Sequence, residues 1–433
     1  MRLMLLYAPG ALGPVELLRN LRPVADLVVA VPEEFRDDPG VAMLGQVLEP
    51  VFFDPLGELP DASGCDGVIC YTDLLARVTA EIAHRHGLRG QSPATALALT
   101  DKDVQRRTLA EHGVDTVRSA MLRRPEDWEG AVARVGLPAV LKPCYGGGSR
   151  NTYRIDDAAT GARLAGRLLA PGPGGPAETT MVLEELLIGV DQGRHGDYCS
   201  VETITVGGVM THLPVLSKFP LAEPFRETGQ FWPSHLDDHA QERAREVTEA
   251  TLRALGSRDG LTSTELKLTP DGPRVIEVNS RLDGFVSELS THSGGPNLFV
   301  TAAGVAVGEP PGIEFPNGLP LVFQLYHLGP RDAVQLLGVE GMGKVRALDG
   351  VLAYRLLLAP GAPMTPGPQS QYLSVLNATA RDHDGMYALL AEVAACLTFG
   401  FRLRAADGPE VWLRGTELPS AAATAVPSAE IAP

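Results

Sequence analysis

Two short arms, TELKLT from Thr264 to Thr269 and RVIEVN from Arg274 to Asn279, flank a Pro270-Asp271-Gly272 turn. The pattern predicts a β-hairpin. With the turn centred on residue 271, Glu265 falls opposite Glu277 and alternation brings Asn279 to their face, while Leu266, Leu268, Ile276 and Val278 share the other. Facing carboxylates repel unless a cation lies between them. Two glutamates and an amide oxygen are hard ligands that suit magnesium bridging nucleotide phosphates; the competing reading is a solvated face with incidental acids. Arg281, two residues on with the same parity, could hold the charge that develops in phosphoryl or acyl transfer.

A second group lies in AVLKPCYGGGSRN, residues 139 to 151. Lys142 at a strand end, followed by Gly146, Gly147, Gly148 and Ser149, offers a cation and flexible backbone amides to phosphates; a glycine-rich surface turn is the alternative. In a third, Met181 to Glu185 reads as a strand whose end, Glu184-Glu185, precedes Leu186-Leu187. Such an end could read an adenine by its backbone and sandwich it with apolar side chains, with Asp197 further on for ribose hydroxyls; an acidic strand end is again the alternative. GVEGMGKV, from Gly338 to Val345, is only a near-match to a phosphate loop and lacks the terminal Ser/Thr. His84 with His86, and His235 with His239, have no evident third convergent ligand.

The elements that must position these groups alternate between strand and helix over the first hundred residues. Leu3 to Tyr7, Leu27 to Val31 and Gly67 to Tyr71 read as strands, separated by helices, of which Asp73 to His86 is the clearest. Crossover helices imply a small parallel sheet. From Thr100 come helices at Asp101 to Gly113 and Pro125 to Val135, the strand into the glycine loop, and an exposed break at PGPGGP (171–176). The strands that follow lead to a helix at Asp238 to Leu255 and then the hairpin. Residues from about 320 to 415 read as a separate mixed segment, and the end of the chain, SAAATAVPSAEIAP, as low-complexity and disordered.

Composition narrows the function. The 433 residues have room for about three domains, and a net charge of −16 argues against a polyanion-binding surface. The N-terminal apolar run is too short for a leader or a membrane span, so a cytoplasmic setting is expected. Five scattered cysteines (65, 70, 144, 199 and 396) form no CxxC pair and read as reduced thiols. Of 37 basic residues only five are lysine, at 102, 142, 218, 267 and 344. Where arginine serves most surface needs, a retained lysine is a candidate for presenting a compact charge to a phosphate.

Taken in order, these segments resemble the ATP-grasp superfamily of carboxylate-activating ligases over about residues 1 to 310. Residues 63 to 70 (SGCDGVIC), GLRG (87 to 90), Ser92-Pro93 and TDK (100 to 102) are similar to the end of that family's preceding α/β domain. The resemblance implies Lys102 and Lys142 as nucleotide lysines, Gly146 to Ser149 as a mobile phosphate loop, Glu184, Glu185 and Leu187 at the adenine hinge, and Asp197 at the ribose. LSKFP resembles the segment that places a lysine near the γ-phosphate in D-alanine ligases, which makes Lys218 catalytic and ATP-binding; Arg226 follows as a less specific anion contact. Glu265, Glu277 and Asn279 match the family's metal ligands. Ser263 stands where D-alanine ligases have arginine, and E-x-N-x-R up to Arg281 is instead similar to biotin carboxylase and to dipeptide-forming L-amino acid ligases.

The resemblance implies an α/β protein, α+β in its central part, with an ATP-grasp fold. A Rossmann-like parallel-sheet domain is expected at 1–100 and the ATP-grasp domain at 101–312, in subdomains 101–180 and 181–312. A mixed α/β C-terminal domain follows at 313–416, then a disordered tail at 417–433. It implies an ADP-forming carboxylate–amine ligase of the EC 6.3 type, which activates an acid as an acyl phosphate and joins it to an amine. ATP and two magnesium ions, replaceable by manganese, are the expected cofactors; partners are small molecules and a second copy in a homodimer, not nucleic acid or membrane. Two alternatives are a carboxylase that uses bicarbonate and a nucleotide-binding protein whose catalysis has lapsed.

Overall fold

The computed structural model describes residues 1–10, 12–170 and 177–420. The expected break at 171–176 and residues 421–433 of the expected tail lie outside them. Residues 417–420 do not belong to a disordered tail: Leu418 is buried with the C-terminal core, and Ser420 Oγ accepts from Leu328 N at 3.4 Å.

The first sheet is parallel, in the order β3-β2-β1-β4, from β1 (Arg2–Leu6), β2 (Asp26–Pro32), β3 (Val51–Phe53) and β4 (Gly67–Cys70). Its apolar strands are covered on one face by the helices Pro14–Leu21 and Leu298–Ala306, whose Phe299, Ala303 and Ala306 pack with Leu3, Leu5 and Leu17. The helix Asp73–Arg85 follows β4, capped by the Thr72 side chain on Leu74 N and closed near Gly87, whose φ is +65°.

A second, antiparallel sheet runs β5-β8-β6-β7, from β5 (Ser119–Leu122), β6 (Ala139–Pro143), β7 (Tyr153–Ile155) and β8 (Met181–Glu185). Two helices precede it: Pro93–Thr100, which the pattern does not announce, and Lys102–Glu111, N-capped by Asp101.

The central sheet draws on β9 (Tyr198–Val206), β10 (Val209–His212), β11 (Leu216–Lys218), β12 (Gly229–Trp232), β13 (Gly260–Thr269), β14 (Gly272–Asn279) and β15 (Leu321–Leu328). Past β15 come β16 (Ala333–Glu340), β17 (Val351–Leu356), β18 (Tyr372–Ala380), β19 (Thr398–Leu403) and β20 (Glu410–Arg414). The order is β14-β13-β9-β11-β12-β15-β18-β17, with β10 on β9, while β16, β19 and β20 form a small sheet of their own. Residues beyond 320 therefore do not stand apart. β12 pairs with β15 over Gly229 to Trp232, and the sheet that begins at the predicted hairpin continues into the C-terminal segment.

That join depends on a residue without a side chain. Gly229 has φ of +144°, and a Cβ there would lie 2.1 Å from the Gln324 carbonyl oxygen. We expect Gly229→Ala to destabilise the fold by roughly 2 kcal/mol or more in chemical denaturation; unchanged stability would mean that this seam tolerates separation.

Candidate active site

A cavity of about 1650 Å³ lies between the three larger sheets. Small-molecule pockets usually span roughly 300–1,000 Å³, so it has room for more than one ligand.

β13 and β14 supply its carboxylate wall. Glu265 is paired directly with Glu277, and Ser263 with Asn279. The turn is tighter than one centred on residue 271: Thr269 pairs with Gly272, and strict alternation from there would set Ile276 opposite Glu265. A bulge between Glu265 and Leu266 takes up one residue of β14 and restores the glutamate pair. Ile276 is consequently not on the apolar face. Val275 is buried with Leu266, Leu268 and Val278, and Ile276 lines the cavity.

The two glutamates differ electrostatically. Glu277 Oε2 lies 3.4 Å from Lys102 Nζ and 3.7 Å from Lys142 Nζ. Burial alone would raise its pKa, but the two lysines hold the carboxyl below the usual range. Among the described residues Glu265 receives only the Asn279 amide, at 3.3 Å, and burial together with Glu277 pushes its carboxyl up to about 8. Across the sheet from it, Ser200 Oγ is buried without a partner. Among the described residues no group of three or more His, Cys, Asp or Glu side chains could hold a metal ion. The hairpin offers two glutamates and an amide, so a bound ion would take its remaining oxygens from a ligand.

Lys102, Lys142 and the glycine loop meet this wall. Lys102 Nζ donates to Gly146 O at 2.8 Å. The loop is clasped from the far side: Gly148 O accepts from Ser370 N at 2.8 Å, and Ser149 Oγ donates to Phe225 O at 2.6 Å. Glu184 is an internal anchor. Arg106 forks onto it with two bonds of 3.0 Å, and Lys142 Nζ is 3.0 Å away. Burial would raise the Glu184 carboxyl, yet these two cations hold it at about 2. Arg106 also donates to Val275 O and Ile276 O, at 2.7 and 2.6 Å, which ties the hairpin to the second sheet. Glu185, 2.6 Å from Arg118, and Leu187 line the cavity too.

Arg281 is oriented from outside the central sheet. Its Nε lies 3.0 Å from Asp73 Oδ2, at the start of the helix after β4, while Asp73 Oδ1 accepts from Ser280 N and Oγ at 2.7 and 2.9 Å. Burial would ease loss of its proton, but Asp73 and Asp283 hold the guanidinium charged.

Three expected contacts are placed elsewhere. Lys218 is only 1% exposed; its Nζ lies 2.5 Å from Glu227, 2.5 Å from Asp283 and 2.8 Å from Gln230. Glu227 and Asp283 line the cavity and Lys218 stands behind them. Asp197 is held by Lys267 at 2.6 Å, and of that pair only Lys267 faces the cavity. Arg226 donates to Gly329 O and Glu223 O, both at 2.9 Å, pointing away. Residues that pattern reading passes over are Asp73, Arg106, Glu227 and Asp283. Arg106 had a signal, since it lies one turn after Lys102 on the same helix face, and Asp283 shares the parity of Arg281.

A glycine loop and paired lysines closing on a carboxylate hairpin, beside a parallel-sheet domain, define a chain with the ATP-grasp fold. No protein-family model matches the chain. It superposes on the crystal structure of an L-amino acid ligase from Bacillus licheniformis with a TM-score of 0.72 at 18% identity, covering 92% of this chain and 98% of that one. In sequence it is 27% identical over 238 residues to alanine–anticapsin ligase of Bacillus subtilis (strain 168), covering 51% of this chain and 49% of that protein. It is 30% identical over 281 residues to human carnosine synthase 1, covering 60% of this chain and 33% of that enzyme. The chain thus spans about half or less of the length of these two curated relatives. Among the described residues no helix is long and apolar enough to cross a membrane.

Arg106 gives a stability test. Arg106→Leu leaves Glu184 buried with one cation fewer and should cost about 3–5 kcal/mol in urea denaturation at pH 7. The Glu184 carboxyl is more acidic folded, at about 2, than its ordinary 4.5. Its contribution is therefore complete above pH 4.5, is lost as pH falls toward 2, and should shrink in the variant. An unchanged acid limb would contradict this.

Proposed function

We propose that the chain is an ADP-forming carboxylate–amine ligase. ATP phosphorylates the carboxylate of a small acid, such as an amino acid, and an amine displaces phosphate from the acyl phosphate to form an amide. One observation carries the reading: Glu265 faces Glu277 on the wall of the cavity that Lys102, Lys142, the glycine loop and Arg281 also line.

In this scheme Lys102 and Lys142, now shared with Glu277, turn to the phosphate oxygens. The loop around Gly148, clasped on Phe225 and Ser370, excludes the water that would hydrolyse an acyl phosphate. Glu185 and Leu187 border the place of the base. Arg281, braced by Asp73, steadies the oxyanion that forms as the amine attacks. Lys218 acts at one remove, by holding Glu227 and Asp283 in place. Glu265, Glu277 and Asn279 fit magnesium, taken here as two ions, because Glu265 makes no ion pair among the described residues, Lys218 acting on it only from a distance, and an unpartnered Ser200 hydroxyl lies across from it. When bound, magnesium would offset phosphate charge beside the hairpin. All five cysteines are free thiols, which suits a reducing, cytoplasmic setting.

A matrix of acids and amines, scored by phosphate release and product mass, tests the reaction. At least one pair should give phosphate and a condensed product, and Glu277→Gln should slow release by roughly 100-fold or more. Release driven by bicarbonate alone would instead mark a carboxylase.

A further inference from the structure

At one end of the cavity is a charged group that the ligase chemistry leaves unused. Glu16 of the helix Pro14–Leu21, Glu288 of the helix Val286–His292 and Arg355 of β17 all line it. Glu288 is fully engaged: one oxygen pairs with Arg355 and the other accepts from Asn377 Nδ2 at 2.8 Å. Glu16 has no such cation; burial and the neighbouring Glu288 raise its carboxyl to about 7, with Arg355 opposing.

The wall leading back toward Arg281 is aromatic. The Arg355 guanidinium lies 5.7 Å from the Phe285 ring centre, and Tyr372 lies 6.1 Å from Phe285. Further along, Tyr198, a residue 3% exposed, also lines the cavity, and its hydroxyl is buried with no hydrogen-bond partner among the described residues. Charges on this stretch do not balance. Five carboxylates, Glu16, Asp73, Glu227, Asp283 and Glu288, share three cations, Lys218, Arg281 and Arg355.

We propose that this wall selects a substrate bearing a cationic group, an ammonium or a guanidinium, seated between Glu16 and the aromatic faces. The inference rests on the ligase reading and deepens it, by naming basic amino acids or diamines as a substrate class. A carboxylate above aromatic rings holds a cation by charge-assisted hydrogen bonding and by attraction to the ring faces, and offers a neutral chain neither. An incoming cation would also offset the repulsion between Glu16 and Glu288.

Calorimetric titration of the full chain with L-lysine and with L-norleucine, which lacks the terminal ammonium, tests the pocket. Lysine should bind about tenfold more tightly. Glu16→Gln should erase that preference, and Arg355→Met, which frees Glu288 for the ligand, should enlarge it; a misfolded variant would not enlarge it. Equal or undetectable binding of both, or a preference that survives Glu16→Gln, overturns the inference. Phosphate release with the same two acids, each offered an amine and ATP, reads the ligase proposal separately. Lysine-selective binding without release would uphold the pocket and contradict the ligase; release equally fast with norleucine would do the reverse.

Discussion

Two carboxylates set face to face across a β-hairpin repel, and the site is organised around that repulsion. Glu277 is relieved by Lys102 and Lys142, while Glu265 is left with an amide and a raised proton affinity. A structure that needed only a stable hairpin would have little use for this pair. The bulge that brings Glu277, rather than Ile276, opposite Glu265 is a local departure from ladder pairing, held by the Arg106 fork on the carbonyls of Val275 and Ile276. Arg106, Lys142 and Glu184 thus act together, fixing the hairpin's shape and the lysines' position at once.

The cavity is shared among parts of the chain far apart in sequence. Asp73 from the first hundred residues braces Arg281, Ser370 from the C-terminal segment clasps the glycine loop, and β15 continues the central sheet out of β12. In the proposed scheme the reaction chemistry gathers at the hairpin, while the charged wall draws Glu16 and Arg355 from the outer segments. Such a division would let substrate preference vary without disturbing the proposed phosphate-binding side.

Much of this is legible in the sequence because it is local. The hairpin, the strand into the glycine loop, the parallel order of the first strands and the helix at 238 follow from alternation, turn residues and caps. The pairing of Glu265 with Glu277 is read correctly only because a tighter turn and a bulge cancel, and Ile276, where they do not cancel, changes face. What stays hidden is lateral. Nothing near Lys218 shows that Glu227 and Asp283 will enclose it, nor anything near Asp197 that Lys267 will take it, because those contacts depend on which strands become neighbours. The join between β12 and β15 is hidden for the same reason, so the C-terminal segment reads as separate when it is the continuation of one sheet.

The central claim is that Glu265 and Glu277 tolerate each other by sharing a divalent ion with a nucleotide. Thermal unfolding of the wild-type chain and Glu265→Gln, each with ADP plus magnesium and with ADP plus chelator, measures it most directly. The account predicts that magnesium adds several degrees to the ADP stabilisation of the wild type and almost none to that of the variant. An equal shift with and without magnesium in the wild type, or a magnesium effect that survives in Glu265→Gln, would contradict it.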